Sequence, residues 1–132
     1  MAKQLTFNKQ ERLKSHKLIE HLFTKGKSYT VFPIKAIYQF TGLNAGVNLQ
    51  AGVAVSKKNF KKAVDRNRIK RLLREAYRLQ KNELQNQLES KNKQLAIFFI
   101  YTGKELPLLT DIIEKLKAVL LYLNDVLKEE EK

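Results

Sequence analysis

Residues 66–78, RNRIKRLLREAYR, carry two side-chain patterns within one short segment. At about 100° per residue, one side of a helix receives a stripe of apolar residues: Ile69, Leu72, Leu73, Ala76 and Leu79. The roughly opposite side receives a polar and basic stripe: Asn67, Lys70, Arg71, Arg74 and Arg78. This pattern predicts a helix that is anchored by its apolar side and presents guanidinium groups outward. The rest of the chain must therefore provide an apolar surface for it.

Residues 31–40, VFPIKAIYQF, alternate in the manner of a β-strand. The even-numbered side is apolar and is expected to face the core: Phe32, Ile34, Ala36, Tyr38 and Phe40. The odd-numbered side is semi-polar: Pro33, Lys35, Ile37 and Gln39. Because proline lacks an amide hydrogen, Pro33 places the start of this strand at an edge or a bend.

Two further strands are predicted downstream. The turn-rich residues 41–46 favour a hairpin to a second strand over residues 47–56. One face of that strand carries the small residues Gly52, Ala54 and Ser56, which allow another group to approach the sheet closely. Residues 95–101, LAIFFIY, are continuously apolar, which is typical of a strand covered on both faces.

Helical segments complete the predicted order. Residues 15–25 form a short amphipathic helix that Ser15 can cap and that Gly26 closes. Residues 109–128 form another helix, and the polar residues 81–94 form a connection. The order helix, strand, strand, helix, strand, helix predicts one α+β domain over residues 1–132. We expect a small two-layer sandwich of helices on a three- or four-stranded sheet, with parallel strands on either side of the basic helix. Residues 1–10 and 128–132 are expected to be flexible ends.

The charge distribution indicates a polyanionic partner. The net charge is +13, and residues 57–81 contribute +9 of it, while residues 105–132 carry −3. Such asymmetry favours nucleic acid first and an anionic membrane surface second. The chain has no cysteine and only His16 and His21, which makes a dedicated metal cage an improbable interpretation. A signal core and a run of 18 apolar residues are both lacking from the sequence, so a cytoplasmic protein is expected.

The residues around the basic helix resemble those of a known family. Val55-Ser56-Lys57-Lys58 and Ala63-Val64 precede Arg66-Asn67-Arg68-Ile69-Lys70-Arg71, and Arg74-Glu75 follow. This combination is similar to the bacterial ribonuclease P protein subunit. The resemblance is most specific over residues 53–78 and extends over about residues 9–123.

The resemblance implies an RNA-binding protein that does not itself catalyse the reaction. In this family an RNA subunit binds Mg²⁺ and hydrolyses precursor transfer RNA to release its 5′ leader. The protein binds that RNA, helps to position the leader and strengthens metal binding by the RNA. The sequence is consistent with this role, since it shows no carboxylate cluster and no nucleophile–base pair. The resemblance also implies a left-handed strand–helix–strand crossover, against the usual right-handed rule.

Two sets of candidate binding residues follow. The basic pattern and the resemblance together predict a set that contacts RNA: Lys57, Lys58, Lys61, Lys62, Arg66, Asn67, Arg68, Lys70, Arg71, Arg74 and Arg78. The resemblance alone implies a leader-binding cleft between the first helix and the exposed face of the sheet: Ile19, Phe23, Lys35 and Ile37. Ile19 and Ile37 stand where family members often carry aromatic residues, which weakens stacking on bases.

Several alternatives stay open at this point. Asn67 is also a candidate helix cap, Ile19 and Phe23 are also candidate core residues, and Glu75 is a candidate ion-pair partner of Arg71 or Arg78. A ribosomal-type structural RNA-binding protein would share the basic α+β build. A DNA-binding regulator would need a helix–turn–helix pair, and a membrane-bound helix would need its apolar stripe for lipid. The expected partners are the RNA subunit and precursor transfer RNA, with no membrane and no obligate protein partner.

Overall fold

The structure is a computed structural model that describes residues 11–43 and 47–129. Its elements are α1 (His16–Lys25), β1 (Lys27–Val31), β2 (Ile34–Phe40), β3 (Leu49–Val55), α2 (Ala63–Gln80), α3 (Asn82–Ser90), β4 (Leu95–Tyr101) and α4 (Leu109–Glu129). The predicted α+β class is confirmed. The predicted flexible segment 1–10 lies outside the described residues. At the other end α4 continues through Lys128 and Glu129, where the sequence predicted the start of a flexible end.

The four strands form one sheet in the order β1-β2-β4-β3. β2 pairs antiparallel with β1 and with β4, whereas β3 pairs parallel with β4. The predicted hairpin between residues 31–40 and 47–56 is therefore wrong, because β4 lies between these two strands. The predicted parallel strands on either side of the basic helix are confirmed. The hand of that crossover stays a prediction of the resemblance.

β4 occupies the inner position because its sequence is apolar on both sides. Leu95, Ile97 and Phe99 are buried against the helices on one face, and Ala96 is buried on the other. A strand of this kind exposes the least apolar surface to water when both of its neighbours are strands and both of its faces are covered. The prediction that residues 95–101 are covered on both faces is confirmed.

The sequence did not predict β1 or α3. The strand assigned to residues 31–40 is divided: Val31 ends β1, and β2 starts at Ile34 after a turn that contains Phe32. Phe32, predicted to face the core, is 69% exposed because it lies in that turn. Within the connection 81–94, α3 forms because its two buried leucines, Leu84 and Leu88, are four residues apart and so share one helix face.

The main core lies between one face of the sheet and helices α2, α3 and α4. Ile34, Ala36 and Tyr38 of β2 belong to it, which confirms the predicted core face of that strand. Near its centre the rings of Tyr77 and Phe99 lie 5.6 Å apart. The sheet and the helices α2, α3 and α4 are the two layers of the predicted sandwich. α1 covers part of the opposite face of the sheet, where its buried Leu22 belongs to a second apolar cluster.

The residues before α1 follow the outer edge of β3. Arg12 forms an isolated parallel bridge with Ala51, and the Leu13 amide donates a hydrogen bond of 2.9 Å to the Ala51 carbonyl oxygen. The chain then enters α1, where the Ser15 hydroxyl accepts a hydrogen bond from the Leu18 amide as predicted for a cap. This segment covers part of a sheet edge whose backbone groups would otherwise lack strand partners.

Candidate nucleic-acid interface

The basic helix α2 presents its two stripes largely as predicted. Ile69, Leu73 and Ala76 are fully buried, while Arg68, Arg71 and Arg74 are exposed. The apolar stripe differs at its end, since Leu79 is 39% exposed and Tyr77 is buried instead. The predicted core position of Leu79 is therefore wrong. Because the buried and exposed sides are separate, the helix offers its cations to a partner without disturbing the core.

The start of α2 gives two of the predicted RNA contacts a defined setting. The helix begins at Ala63, so Asn67 lies within it and is exposed, and the alternative that Asn67 caps the helix is wrong. Arg66 donates hydrogen bonds of 2.8 Å to the carbonyl oxygens of Phe60 and Lys61. Arg66 thereby ties the preceding loop to the helix, in addition to any contact that it makes with RNA.

The loop before α2 holds its lysines outward. Phe60 is buried against the ring of Tyr101, with the ring centroids 6.0 Å apart. Asn59 donates hydrogen bonds of 3.2 Å to the carbonyl oxygens of Thr102 and Gly103. With the backbone fixed in this way, four exposed lysines extend the basic face of α2: Lys57, Lys58, Lys61 and Lys62.

A groove of about 530 Å³, here called the cationic groove, runs along the outer side of α2. Its lining is almost entirely basic and polar: Arg12, Asn67, Lys70, Arg71, Arg74, Glu75 and Arg78. The Nε and Nη2 atoms of Arg78 donate hydrogen bonds of 3.1 and 2.5 Å to the Glu75 carboxylate. These bonds lower the pKa of Glu75 and raise the pKa of Arg78. Of the two partners predicted for Glu75, the one found is Arg78.

The predicted leader-binding residues are only partly brought together. α1 lies on the odd-numbered face of β2, as the prediction required, and His21 Nδ1 lies 2.8 Å from Gln39 Oε1. Phe23 is 48% exposed, and Ile19 and Lys35 are half-buried. Ile37 is only 8% exposed and packs with Leu22 beneath α1. Ile37 therefore has little surface to offer to RNA.

A smaller cleft of about 230 Å³, here called the sheet-side cleft, lies between Ile19 of α1 and the face of the sheet. Its floor includes Gly52 and Phe98, and its rim includes Arg12, Lys14 and Arg74. The Phe23 and Phe98 ring centroids are 5.3 Å apart with an interplanar angle of 58°, so Phe23 adjoins Phe98 beside the cleft. Of the predicted leader residues, Ile19 lines the cleft itself and Phe23 borders it through Phe98.

Comparison with known proteins identifies this combination of basic helix and sheet. The sequence model of the ribonuclease P family matches residues 7–119. The chain belongs to the ribonuclease P protein family.

The ribonuclease P protein components of other bacteria support this assignment along most of the chain. That of Porphyromonas gingivalis is 38% identical over 109 residues, which cover 81% of this chain and 80% of its relative. That of Chlorobium phaeobacteroides is 37% identical over 112 residues, which cover 77% of each chain. Among solved structures, the RNase P protein of Thermotoga maritima is similar with a TM-score of 0.62 and 25% identity, over 83% of this chain and 94% of that one. The RNase P protein of Staphylococcus aureus shares the fold with a TM-score of 0.64 at 23% identity, over 86% and 94% of the two chains.

Three residues of the candidate interface were not predicted from the sequence. Arg12 lines both the cationic groove and the sheet-side cleft, and Lys14 lines the sheet-side cleft, although both residues precede α1. Phe98 supplies an aromatic ring in the floor of the sheet-side cleft. Arg12 is remote from α2 in sequence and reaches the groove because its segment is bridged to Ala51 of β3. Phe98 lies within a continuously apolar strand, so the sequence pattern did not distinguish it from its neighbours. The small residues Gly52, Ala54 and Ser56 were the available clue that a bulky group lies against that face.

Gly52 makes room for the Phe98 ring. A Cβ atom at position 52 would lie 2.7 Å from the nearest ring atom of Phe98 and 2.9 Å from the next, distances that real contacts do not reach. The expectation that the small face of β3 allows a close approach is thus met by the protein's own aromatic ring. Gly52 fixes where that ring lies in the ribonuclease P protein.

We expect Gly52→Ala to destabilise the ribonuclease P protein by roughly 1–3 kcal/mol, because the added methyl group must displace the Phe98 ring. Urea unfolding monitored by circular dichroism measures this change. Gly42→Ala is the matched control, since the nearest atom to a Cβ there is 3.9 Å away, an ordinary contact. Equal stability of the two variants would contradict the assigned role of Gly52.

Three structural features bear on the alternatives considered for the chain. Over residues 11–43 and 47–129, no helix is long and apolar enough to cross a membrane. Over the same residues, no group of three or more His, Asp or Glu side chains is placed to hold a metal ion. The apolar stripe of α2 is used to cover the sheet, which removes it as a lipid-binding surface.

Proposed function

We propose that this ribonuclease P protein binds the catalytic RNA subunit through the cationic groove of α2 and the lysines of the preceding loop. The observation that carries the proposal is the continuous basic surface that α2 presents on the side opposite its buried stripe. Guanidinium and ammonium groups bind RNA phosphates and release the counterions condensed on them. Such contacts fix the position of the protein on its RNA without reading the base sequence.

We propose further that the 5′ leader of precursor transfer RNA lies along the sheet-side cleft and the adjacent aromatic pair. Phe23 and Phe98 offer ring surface, and Lys14 with Arg74 supplies positive charge at the rim. Single-stranded RNA is commonly held by a combination of base stacking and a basic track. Lys35 shares one side of β2 with Ile37, and Ile37 packs in the apolar cluster beneath α1.

We assign hydrolysis of the phosphodiester bond that joins the leader to the transfer RNA to the RNA subunit. The cationic groove contains one carboxylate, Glu75, and both of its oxygens accept hydrogen bonds from Arg78. This donor set does not suit Mg²⁺, which prefers oxygen ligands and retains several waters. We therefore propose that Mg²⁺ is held mainly by RNA oxygens. The protein then acts by neutralising phosphates and positioning the leader, in the cytoplasm where precursor transfer RNA is made.

Phe23→Ala tests the leader assignment. We expect the reconstituted complex of this variant to bind precursor transfer RNA about tenfold to a hundredfold more weakly, because one base–aromatic stack contributes roughly 1–3 kcal/mol. Binding of mature transfer RNA, which lacks the leader, should change little. The measurement is the ratio of the two affinities, taken beside a melting curve.

Phe32→Ala is the matched control for this experiment. It removes a ring that is 69% exposed and lies in the β1–β2 turn, outside the cleft. The control should leave both affinities unchanged. If Phe23→Ala weakens both RNAs equally and lowers the melting temperature, Phe23 is a packing residue and the leader assignment is wrong.

A further inference from the structure

Two arginines belong to both grooves of the interface. Arg12 and Arg74 line the cationic groove along α2 and also line the sheet-side cleft. Of the other cations of α2, Lys70, Arg71 and Arg78 line the cationic groove but not the sheet-side cleft. Arg12 and Arg74 thus mark the junction at which the two grooves meet.

The two guanidinium groups are close enough to influence each other. Burial, and after it the positive charge of Arg12, lowers the pKa of Arg74. Like charges held near each other cost free energy, and a phosphate placed between them offsets that cost. A pair of arginines can also present planar forks of N–H donors to one phosphate, whereas a lysine offers a single point charge.

Arg12 is held at this junction by its neighbours on both sides. On one side the Leu13 amide is hydrogen-bonded to Ala51 of β3. On the other side Glu11 forms a buried ion pair with Lys81, and the Gln85 side-chain amide donates a hydrogen bond of 2.9 Å to the same Glu11 oxygen. Glu11 is 7% exposed and Lys81 is 1% exposed, so this ion pair is largely withdrawn from water.

This ion pair is more important for the position of the neighbouring Arg12 than for the stability of the fold. Desolvation of two charges offsets most of their attraction, so a buried pair is often no more stabilising than apolar residues of the same volume. The geometry, however, is strongly constrained, because any displacement of Glu11 would break its buried ion pair with Lys81. Lys81 lies at the junction of α2 and α3, so the ion pair ties the segment before α1 to the helix that carries Arg74.

We propose that Arg12 and Arg74 together bind one phosphate of an RNA backbone where the two grooves meet, and that the Glu11–Lys81 ion pair positions Arg12 for this contact. The proposal rests on the RNA-binding function proposed above and adds to it a contact from outside the basic helix. The phosphate belongs either to the RNA subunit or to the leader of the precursor, and both share the same phosphodiester chemistry.

Arg12→Ala tests the contact. We expect the affinity for the phosphate-bearing RNA to fall by about tenfold, the size of one charge-assisted hydrogen bond, and the slope of log affinity against log salt to fall by about one. Lys17→Ala is the matched control, since Lys17 is exposed on α1, lines neither groove and carries the same charge. Equal behaviour of Arg12→Ala and Lys17→Ala toward both RNAs would overturn the proposal.

The source of the phosphate is resolved by two binding measurements. If the phosphate belongs to the RNA subunit, Arg12→Ala weakens binding of the protein to purified RNA subunit. If it belongs to the leader, that binding is unchanged, and the assembled complex instead loses affinity for precursor but not for mature transfer RNA. Arg71→Ala is included throughout, because its loss of affinity for the RNA subunit reports on the proposed function itself. If Arg71→Ala weakens binding of the RNA subunit while Arg12→Ala changes neither affinity, the Arg12 contact is wrong and the proposed function stands.

Glu11→Gln tests the positioning role. This variant keeps Arg12 and its charge, yet we expect it to show the reduced salt slope of Arg12→Ala. The double variant Glu11→Gln with Arg12→Ala should bind no more weakly than Arg12→Ala, because both changes remove the same contact. A merely structural role gives a different result: a lower melting temperature, an unchanged salt slope well below that temperature, and additive losses in the double variant.

Discussion

Protein freed of all RNA is expected to leave precursor transfer RNA intact, even with ample Mg²⁺. The cationic groove offers arginine and lysine side chains, which stabilise phosphates but do not activate water, and its one carboxylate is hydrogen-bonded to Arg78. Addition of the RNA subunit should restore cleavage at the 5′ end of the transfer RNA. The measurement is the rate of leader release from end-labelled precursor, with and without each component.

The same experiment gives the contribution of the protein to the metal requirement. We expect the protein to lower the Mg²⁺ concentration at which the RNA subunit reaches half of its maximal rate, because the cations of α2 replace part of the charge neutralisation that Mg²⁺ otherwise supplies. RNA subunit alone, assayed over the same range of Mg²⁺, is the control. Turnover by rigorously RNA-free protein would contradict the assignment of catalysis to the RNA.

Simultaneous replacement of Arg68 and Arg71 by alanine is expected to weaken binding of the RNA subunit by about a hundredfold. Two charge-assisted contacts are lost, each with a contribution of about 1.5 kcal/mol or more. The slope of log affinity against log salt should fall by about two, since two fewer phosphates are neutralised. Titration of labelled RNA subunit at several salt concentrations gives both quantities.

The fold should survive this double substitution, because both arginines are exposed and lie outside the buried stripe of α2. The matched control replaces Lys115 and Lys117 of α4, which removes the same charge from a helix outside both grooves. The control should keep nearly all of the affinity and the slope. An unchanged slope for the arginine variant would show that the exposed side of α2 does not contact phosphates.

The sequence predicted those features that depend on the periodicity of a single element. The two stripes of α2, the core face of β2 and the double coverage of β4 all follow from the spacing of side chains. The errors at the hairpin and at Phe32 concern information that spacing does not contain. Turn-forming residues show that the chain reverses after Phe40, but they do not show whether another strand is inserted, as β4 is. Phe32 follows the alternation of a strand, yet it lies in a turn.

The parts of the candidate site that are contiguous in the sequence were predicted, and the parts that tertiary structure brings together were not. The basic loop and helix are contiguous, so their charges were visible in the sequence. Arg12 and Phe98 reach the interface only through tertiary structure: Arg12 through its bridge to Ala51, and Phe98 through the pairing of β3 with β4. Ile37 illustrates the reverse case, because its strand face was predicted correctly but the depth to which α1 buries it was not.

The place of β4 within the sheet also determines the order in which the protein can be completed during synthesis. β2 and β3 make no ladder with each other, and both must pair with a strand that emerges from the ribosome after α2 and α3. Until Leu95–Tyr101 has been made, the apolar stripe of α2 has no finished sheet to cover, while its arginines are already present. Such long-range pairing delays folding. During that interval the nascent chain exposes a polycationic helix to the RNA-rich surroundings of the ribosome before the domain that supports it exists.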